Sequence, residues 1–95
     1  MKIESAIKNK QLLSFNYGGY HRVVQPHILG IDTRGNLSLS GYQIGGGSNS
    51  GESIGWKMFH LDDIKDLAAL DEYFRSPRPE YNQHDPLFLT IHAQL

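Results

Sequence analysis

The sequence predicts one small domain that is mainly β, built as a barrel or a sandwich. Short segments of alternating apolar and polar residues recur at a spacing of roughly 8 to 12 residues, and glycine-rich turns separate them. The chain has 95 residues, which is enough for one modest hydrophobic core and too few for a second. About a quarter of the residues are Ile, Leu, Val or Phe, which is the composition of a folded chain.

The spacing of the apolar residues divides the chain into one helix and several strands. Ile3, Ala6 and Ile7 recur at helical spacing, which predicts a short amphipathic helix over residues 2–10. Alternation predicts the strands, which cover residues 12–17, 20–32, 37–44, 56–61 and 87–93. Pro26 cannot donate a backbone hydrogen bond, so we expect an edge, a bend or a bulge in the second strand.

Polar and glycine-rich stretches mark the turns. Gly18-Gly19 predicts a tight hairpin, because both residues tolerate positive φ. Residues 33–36 predict another turn, and residues 45–55 predict a flexible loop by their composition. Residues 62–72 fit either a helix capped by one of its two leading aspartates or a short turn followed by a fifth strand.

The third and fourth strands carry a large apolar and aromatic face if they pair as a hairpin. With Ile44 opposite Trp56, Tyr42 lies opposite Met58 on the same face. A monomer rarely leaves such a patch exposed. We expect it to be covered by the N-terminal helix, the last strand, a partner chain or a ligand.

Composition excludes several classes of site. The chain has no cysteine, and therefore no disulfide, iron–sulfur cluster, thiolate zinc site or cysteine nucleophile. No apolar run approaches the roughly 18 residues of a membrane span and no secretory signal is recognisable, so a cytoplasmic protein is expected. The net charge is -1, with residues 1–60 mildly basic and residues 61–95 acidic. Such a balance argues against a general binder of polyanions.

Motifs that usually carry chemistry are absent or incomplete. Residues 46–53 have the glycine spacing of a phosphate-binding loop, but Glu52 stands where a lysine must reach the phosphates. The five histidines show no spacing typical of a metal site, and no G-x-S-x-G motif marks a nucleophile. We therefore expect no catalytic residues, no metal and no cofactor.

Six short segments between Ile3 and Phe74 match one known pattern in their order and spacing. They are Ile3-x-x-Ala6-Ile7, Leu13-Ser14-Phe15-Asn16-Tyr17, Arg22-Val23-Val24-Gln25-Pro26, Gly35-Asn36-Leu37-Ser38-Leu39, Phe59-His60-Leu61-Asp62-Asp63-Ile64, and the ending with Leu67, Leu70 and Phe74. Together they resemble the WYL domain, an SH3/Sm-like barrel that is common in bacterial transcription regulators and phage-defence regulators.

The resemblance implies a mainly β fold, a small SH3/Sm-like barrel of about five strands with a short N-terminal helix. The last predicted strand would be an extra C-terminal strand. Residues 1–75 would form the WYL-like barrel domain, and residues 76–95 a proline-containing connector and a terminal strand packed on the same domain. The chain would be a stand-alone, divergent member, without the helix-turn-helix and the second domain that usually accompany the family.

The departures from the family pattern fall on its ligand groove. Only Leu39 remains of the name-giving triplet, because Leu37 and Ser38 replace its Trp and Tyr. His60 and Asp63 replace two arginines that, with that tyrosine, line a groove thought to bind nucleic acid or a nucleotide-like ligand. Histidine is a weaker, pH-dependent donor, and aspartate would repel phosphate.

The resemblance and the aromatic face predict a non-catalytic ligand-sensing or regulatory binding module, for a nucleotide-like or single-stranded nucleic acid ligand. Aromatic rings beside cations can stack bases and hold phosphates. The candidate ligand-binding residues are Arg22, Ser38, Tyr42, Trp56, Lys57 and His60. The simpler alternative is that Tyr42 and Trp56 only pack against the terminal segments.

A second hypothesis belongs to a different class. The same face could form a homodimer or bind a partner protein without any small ligand, and the last strand could add to a partner's sheet edge. The loss of both family arginines favours this hypothesis. Neither hypothesis involves a membrane.

Overall fold

The computed structural model describes residues 2–95 as one short helix and six strands. The helix α1 spans Lys2–Asn9. The strands are β1 (Gln11–Tyr17), β2 (Tyr20–Asp32), β3 (Leu37–Gly46), β4 (Gly55–His60), β5 (Lys65–Tyr73) and β6 (Phe88–Gln94). A single 3-10 turn, Leu61–Asp63, joins β4 to β5. The mainly β class predicted from the sequence is confirmed.

The six strands form one open antiparallel sheet. Five of them are neighbours in the order β4-β3-β2-β1-β5. β2 pairs with β3 along one edge, while along the other its first part pairs with β1 and its last part with β6. Within the described residues β4 and β5, at the two ends of the order, do not pair. The sheet is therefore not closed, and a barrel is not confirmed.

Pro26 lies where β2 changes partners along one edge. The pairing with β1 extends to Val24, and the pairing with β6 begins at Ile28. The register of β2 against β3 also shifts between Pro26 and Ile28, which agrees with the bulge among the three predicted alternatives. A proline without an N–H is tolerated at such a place because the hydrogen-bond ladder is already interrupted.

The predicted hairpin at Gly18-Gly19 is confirmed, and the ambiguous segment after β4 is a strand. Both glycines have positive φ, and Tyr17 lies opposite Tyr20 across the turn. β5 pairs with β1 so that Leu13 lies opposite Ala69. Pairing with an otherwise open edge of β1 decides in favour of the strand, which local propensity left undecided.

The pairing of β3 with β4 differs by two residues from the predicted register. Trp56 lies opposite Tyr42 rather than Ile44. This register places Leu39 opposite Phe59, and both side chains are almost fully buried in the core. A long glycine-rich loop does not fix a register, so the core pair decides it. Because the shift is two residues, every side chain stays on its predicted face.

The core lies between α1 and one face of the sheet. Nine nearly fully buried side chains form it: Ile3, Ala6, Ile7, Leu13, Phe15, Val24, Leu29, Leu39 and Phe59. The rings of Phe15 and Phe59 meet edge to face, with centroids 4.9 Å apart. An eight-residue helix is marginal alone, so packing on this face is what stabilises α1. The opposite face of β3 and β4 is left to other elements.

Residues 74–87, called the connecting segment below, join β5 to β6 without helix or strand. The segment ends at β6, which lies on the last part of β2 with Ala93 opposite Leu29. The terminal residues therefore return to the sheet. The predicted boundary between a barrel domain and a connector at residue 75 stays a prediction.

Candidate functional site

The face of β3 and β4 that is turned away from the core carries the predicted aromatic patch. Three cross-strand pairs lie on it, and we call them the outer face: Tyr42 opposite Trp56, Ser40 opposite Met58, and Ser38 opposite His60. The rings of Tyr42 and Trp56 meet edge to face with centroids 5.7 Å apart. Four of the six predicted ligand-binding residues thus lie together.

Arg22, a fifth predicted residue, lies in the interior and is only 4% exposed. Its Nε and Nη2 donate to the Tyr17 carbonyl oxygen at 3.3 and 3.0 Å, and its Nη1 donates to Gln43 Oε1 at 3.1 Å. The guanidinium carbon also lies 5.6 Å from the Tyr17 ring centroid and 5.7 Å from that of Phe59. The guanidinium of Arg22 is therefore bound inside the fold and is not presented to a ligand on the outer face.

Lys57, the sixth predicted residue, alternates with Trp56 and Met58 along β4 and therefore points away from the outer face. Its Nζ donates to the hydroxyls of Ser48 and Ser50 and to the Glu52 carbonyl. Lys57 thus holds the glycine-rich loop.

The connecting segment lies across part of the outer face. The guanidinium carbon of Arg78 is 4.0 Å from the centroid of the Tyr42 ring. Trp56 Nε1–H donates to the Pro79 carbonyl at 3.4 Å, and the rings of Trp56 and Tyr81 are nearly parallel with centroids 6.4 Å apart. The chain therefore covers part of its own aromatic patch. The cover is the segment between β5 and β6, and not the N-terminal helix or the last strand.

His27 of β2 is fully buried beneath this cover. Its Nδ1 lies 2.8 Å from the Gln25 carbonyl oxygen, and its Nε2 lies 3.1 Å from the backbone nitrogen of Arg78. A carbonyl only accepts and a backbone N–H only donates, so the ring is neutral with its proton on Nδ1.

The surroundings of His27 favour this neutral form. Three aromatic rings surround the imidazole, with centroids 4.6, 5.7 and 5.2 Å away: those of Trp56, Phe74 and Tyr81. Burial lowers the pKa of His27, and the positive charge of Arg78 lowers it further, against an opposing effect of the Gln25 carbonyl. The imidazole therefore acts as a fixed acceptor toward the connecting segment.

A cleft of about 260 Å³ opens between the outer face and the connecting segment. The residues that line it come from both sides, and they are Ile28, Ser40, Trp56, Lys57, Met58, Glu80, Tyr81, Asn82, Asp85 and Leu87. Trp56 and Tyr81 give the cleft an aromatic wall, while Glu80 and Asp85 bring two carboxylates to it. The one cationic residue in this lining, Lys57, has its ammonium bound to the loop on the other face.

A second cleft, of about 290 Å³, adjoins the first and contains Asp32 and His60. Asp32 Oδ1 accepts hydrogen bonds from the backbone N–H groups of Arg34 and Asn36, and Oδ2 accepts one from the Ser38 hydroxyl, each at 2.9 Å. The bond from Asn36 has the largest part in holding the pKa of Asp32 below its ordinary value. The charged carboxylate therefore organises the turn between β2 and β3.

Ser38, Asp32 and His60 do not have the arrangement of a nucleophilic triad. In a triad the histidine lies between the nucleophile and the acid. Here Asp32 Oδ2 lies between them, 2.9 Å from the Ser38 hydroxyl and 3.7 Å from His60 Nε2. Ser38 is also fully buried. Its hydroxyl is a donor to Asp32 and is not activated by the histidine.

The described residues form neither a metal centre nor a membrane span. Among residues 2–95, no three His, Asp or Glu side chains come close enough together to hold a metal ion. Over the same range no helix is long and apolar enough to cross a membrane.

Three residues of the covered face were not among the predicted ligand-binding residues: His27, Arg78 and Tyr81. The sequence Pro77-Arg78-Pro79 contains a signal for Arg78. Proline has no N–H, so Arg78 carries the only backbone donor of these three residues. A single donor in a segment that packs on a protein must find an acceptor, but the sequence does not say which.

A fold alone does not assign a function, so the function has to be argued from the chemistry of the outer face. The chain matches no protein-family model, no curated protein and no solved structure.

Proposed function

We propose that the chain is a non-catalytic, WYL-like ligand-sensing module whose ligand lies on the outer face, in the cleft beside Trp56. The observation that carries this proposal is the open cleft of about 260 Å³ with an aromatic wall. The adjoining cleft contains His60, at a position that the WYL resemblance gives to the ligand groove. Ser38, at another such position, is fully buried with its hydroxyl bound to Asp32, and the proposed site does not include it.

The proposal includes the SH3/Sm-like fold type. Strands β1 to β5 follow one another along the chain, β1 pairs with both β2 and β5, and a single 3-10 turn joins β4 to β5. Core positions are occupied by residues of the resembling segments, among them Ile3, Ala6, Ile7, Leu39 and Phe59. A cytoplasmic location stays a prediction from the cysteine-free sequence.

The cleft favours a ligand the size of one nucleoside over a nucleic acid strand. Its volume lies just below the range of about 300 to 1,000 Å³ that is usual for drug-sized ligands. A base stacked on an aromatic ring gains roughly 1 to 3 kcal/mol. Glu80 and Asp85 would repel phosphates, but carboxylates accept hydrogen bonds from hydroxyl and amino groups. We expect an uncharged nucleoside to bind better than the corresponding nucleotide.

Trp56 is the only tryptophan, so its fluorescence reports directly on this cleft. The protein is titrated with adenosine, cytidine, their monophosphates and a single-stranded oligonucleotide, at low and high salt. A saturable change with a nucleoside supports the proposal. Calorimetry then compares Trp56→Ala, which should abolish binding, with Tyr73→Ala on β5, which should leave it unchanged. No heat and no spectral change with any probe would reject the ligand proposal.

A second candidate function is the binding of another protein chain. Leu87 and Leu89 are 55% and 69% exposed, and β6 pairs only with β2 among the described strands. An apolar strand with a free edge can accept a further strand. Light scattering across a concentration series tests the homodimer directly. A stable dimer that Leu89→Ser dissociates supports this function, and a monomer at all concentrations rejects the homodimer.

A further inference from the structure

Residues 77–81, here called the lid, cross the outer face. Their first three residues contain a single backbone hydrogen-bond donor. Pro77 and Pro79 have no N–H, so only Arg78 can donate there. That N–H donates to His27 Nε2 at 3.1 Å. The acceptor is a buried, unprotonated ring nitrogen.

The other contacts between the lid and the rest of the chain involve side chains, and they include the packing of the Tyr81 ring against Trp56 and His27. Arg78 lies on the Tyr42 ring at 4.0 Å, Trp56 Nε1 lies 3.4 Å from the Pro79 carbonyl oxygen, and Tyr81 donates its hydroxyl to the Leu95 carbonyl at 3.0 Å. Glu80 has a φ of 72°, which strains a residue with a side chain. Among residues 2–95, the bond from Arg78 to His27 is the only hydrogen bond that a backbone N–H of the lid donates to the sheet, and the backbone strain at Glu80 opposes the closed position.

Protonation of His27 would remove the acceptor. An imidazolium donates from both nitrogens, so an Nε2–H would point at the Arg78 N–H. The groups packed on the ring are the Gln25 carbonyl from β2, Trp56 from β4, and Phe74, Arg78 and Tyr81 from the connecting segment. Of these only Arg78 and Tyr81 are titratable or charged. Arg78 is positive, and burial raises the pKa of Tyr81, which keeps that phenol neutral.

We propose that the lid is a gate over the outer face, latched by neutral His27 and released when His27 is protonated. Release uncovers the rings of Tyr42 and Trp56 and removes the wall of the cleft to which Glu80 and Tyr81 belong. The consequence for a ligand rests on the proposed function, whereas the opening of the lid does not.

The pH range of the gate follows from ordinary histidine chemistry. Opening of the lid removes Arg78 and Tyr81 from the ring, so the pKa of His27 moves back toward the ordinary histidine value of about 6.5. In the closed lid burial holds the pKa of His27 below that value. The ratio of open to closed molecules therefore rises below about pH 6.5, by up to about tenfold for each pH unit.

Hydrogen exchange at the Arg78 amide, followed by NMR on the full chain between pH 5 and pH 8, tests the gate. Protection factors correct for the intrinsic effect of pH on exchange. We expect the protection of Arg78 to fall by up to about tenfold per unit below about pH 6.5 and to lie below that of the β1–β2 amides at every pH, because the lid opens without unfolding the sheet. Constant protection of Arg78, or protection equal to that of the β1–β2 amides at every pH, would overturn the proposal.

Two further measurements keep the test independent of any one variant. His27→Gln cannot be protonated and should give a flat profile, whereas His92→Gln, on the exposed side of β6, should behave as the unmodified chain. Nitrogen-15 spectra of the unmodified protein should show the Nδ1–H tautomer at pH 8 and a second ring proton appearing as Arg78 loses protection. Failure of every nucleoside titration alongside this profile would reject the ligand and leave the gate standing.

Discussion

The Nε2 atom of His27 accepts a hydrogen bond from the backbone N–H of Arg78, a residue 51 positions later in the chain. The opposite ring nitrogen donates to the Gln25 carbonyl at 2.8 Å. An imidazole held between a fixed acceptor and a fixed donor can keep both bonds in one tautomer only. The protonation state of one buried imidazole on β2 therefore decides whether the segment that covers the outer face keeps its hydrogen bond.

Acidification should destabilise the folded chain through His27. Because folding lowers the pKa of His27, the unfolded chain binds more protons at moderately acidic pH. The contribution of His27 is complete above about pH 6.5, the value of a free histidine, and it is lost as the pH falls below it. We expect the free energy of unfolding to fall by at most about 1.4 kcal/mol per pH unit.

Urea unfolding at pH 8, 7, 6 and 5 measures this fall. His27→Gln should remove the dependence in this range, whether or not it lowers stability at pH 8. His84→Gln, at an exposed histidine in the connecting segment, is the matched control and should retain it. If the free energy of unfolding of the unmodified chain did not change down to pH 5, His27 would take up no additional proton when the chain unfolds, which would contradict the lowered pKa.

Removal of the buried Arg22 side chain should destabilise the protein rather than weaken a ligand contact. Arg22→Ala leaves the Tyr17 carbonyl and Gln43 Oε1 without their donors and opens a cavity beside Phe59. We expect a loss of about 2 to 4 kcal/mol in urea unfolding. Arg34→Ala, in an exposed turn, should change stability by no more than about 0.5 kcal/mol. Equal midpoints for the two variants would contradict the structural role of Arg22.

The strands and the core could be predicted because burial repeats along the sequence. Ile3, Ala6 and Ile7 repeat with the period of a helix, and Leu37 and Leu39 with that of a strand. The effects of Pro26 and of Gly18-Gly19 could be predicted as well, because proline restricts its own backbone and glycine frees its own. The choice between helix and strand at residues 62–72 was not local, because it depends on the free edge of β1.

Much of the candidate site could not be predicted because it depends on contacts distant in sequence. Arg22 has the charge of a ligand-binding residue, and only its burial against Tyr17 and Phe59 shows that the charge is used inside the fold. The connecting segment has no apolar period, so nothing local says that it returns over Trp56. The predicted register of β3 against β4 was wrong by two residues for the same reason. The contact between Leu39 and Phe59, which are distant in sequence, sets the register.

Gly41 should tolerate no side chain, although it lies in a regular strand. A Cβ at Gly41 would overlap Val24 Cγ1 and lie 3.0 Å from the Gln25 carbonyl oxygen. Val24 is fully buried in the core and cannot move away freely. We expect Gly41→Ala to cost about 1 to 3 kcal/mol in urea unfolding.

Gly45, on the same strand, provides the matched control for Gly41. A Cβ there would lie 3.6 Å from the nearest atom, Val23 Cβ, which is an ordinary contact. Gly45→Ala should therefore be close to neutral or slightly stabilising, since alanine restricts the unfolded chain. Similar unfolding midpoints for the two variants would show that β2 and β3 are not as close at Gly41 as described.

Asp32 should give a second loss of stability at lower pH, separate from that of His27. Its pKa is lowered in the folded chain, so its contribution is complete above the ordinary aspartate value of 3.8 and is lost as the pH falls through the folded value. Asp32→Asn keeps an oxygen for the backbone N–H groups of Arg34 and Asn36, and Asp32→Ala keeps none. We expect Asp32→Ala to lower the urea midpoint at pH 7 more than Asp32→Asn does. Between pH 4 and pH 2 the stability gap between the unmodified chain and Asp32→Asn should shrink, and a gap that stayed constant would mean that the carboxylate charge contributes nothing to the turn.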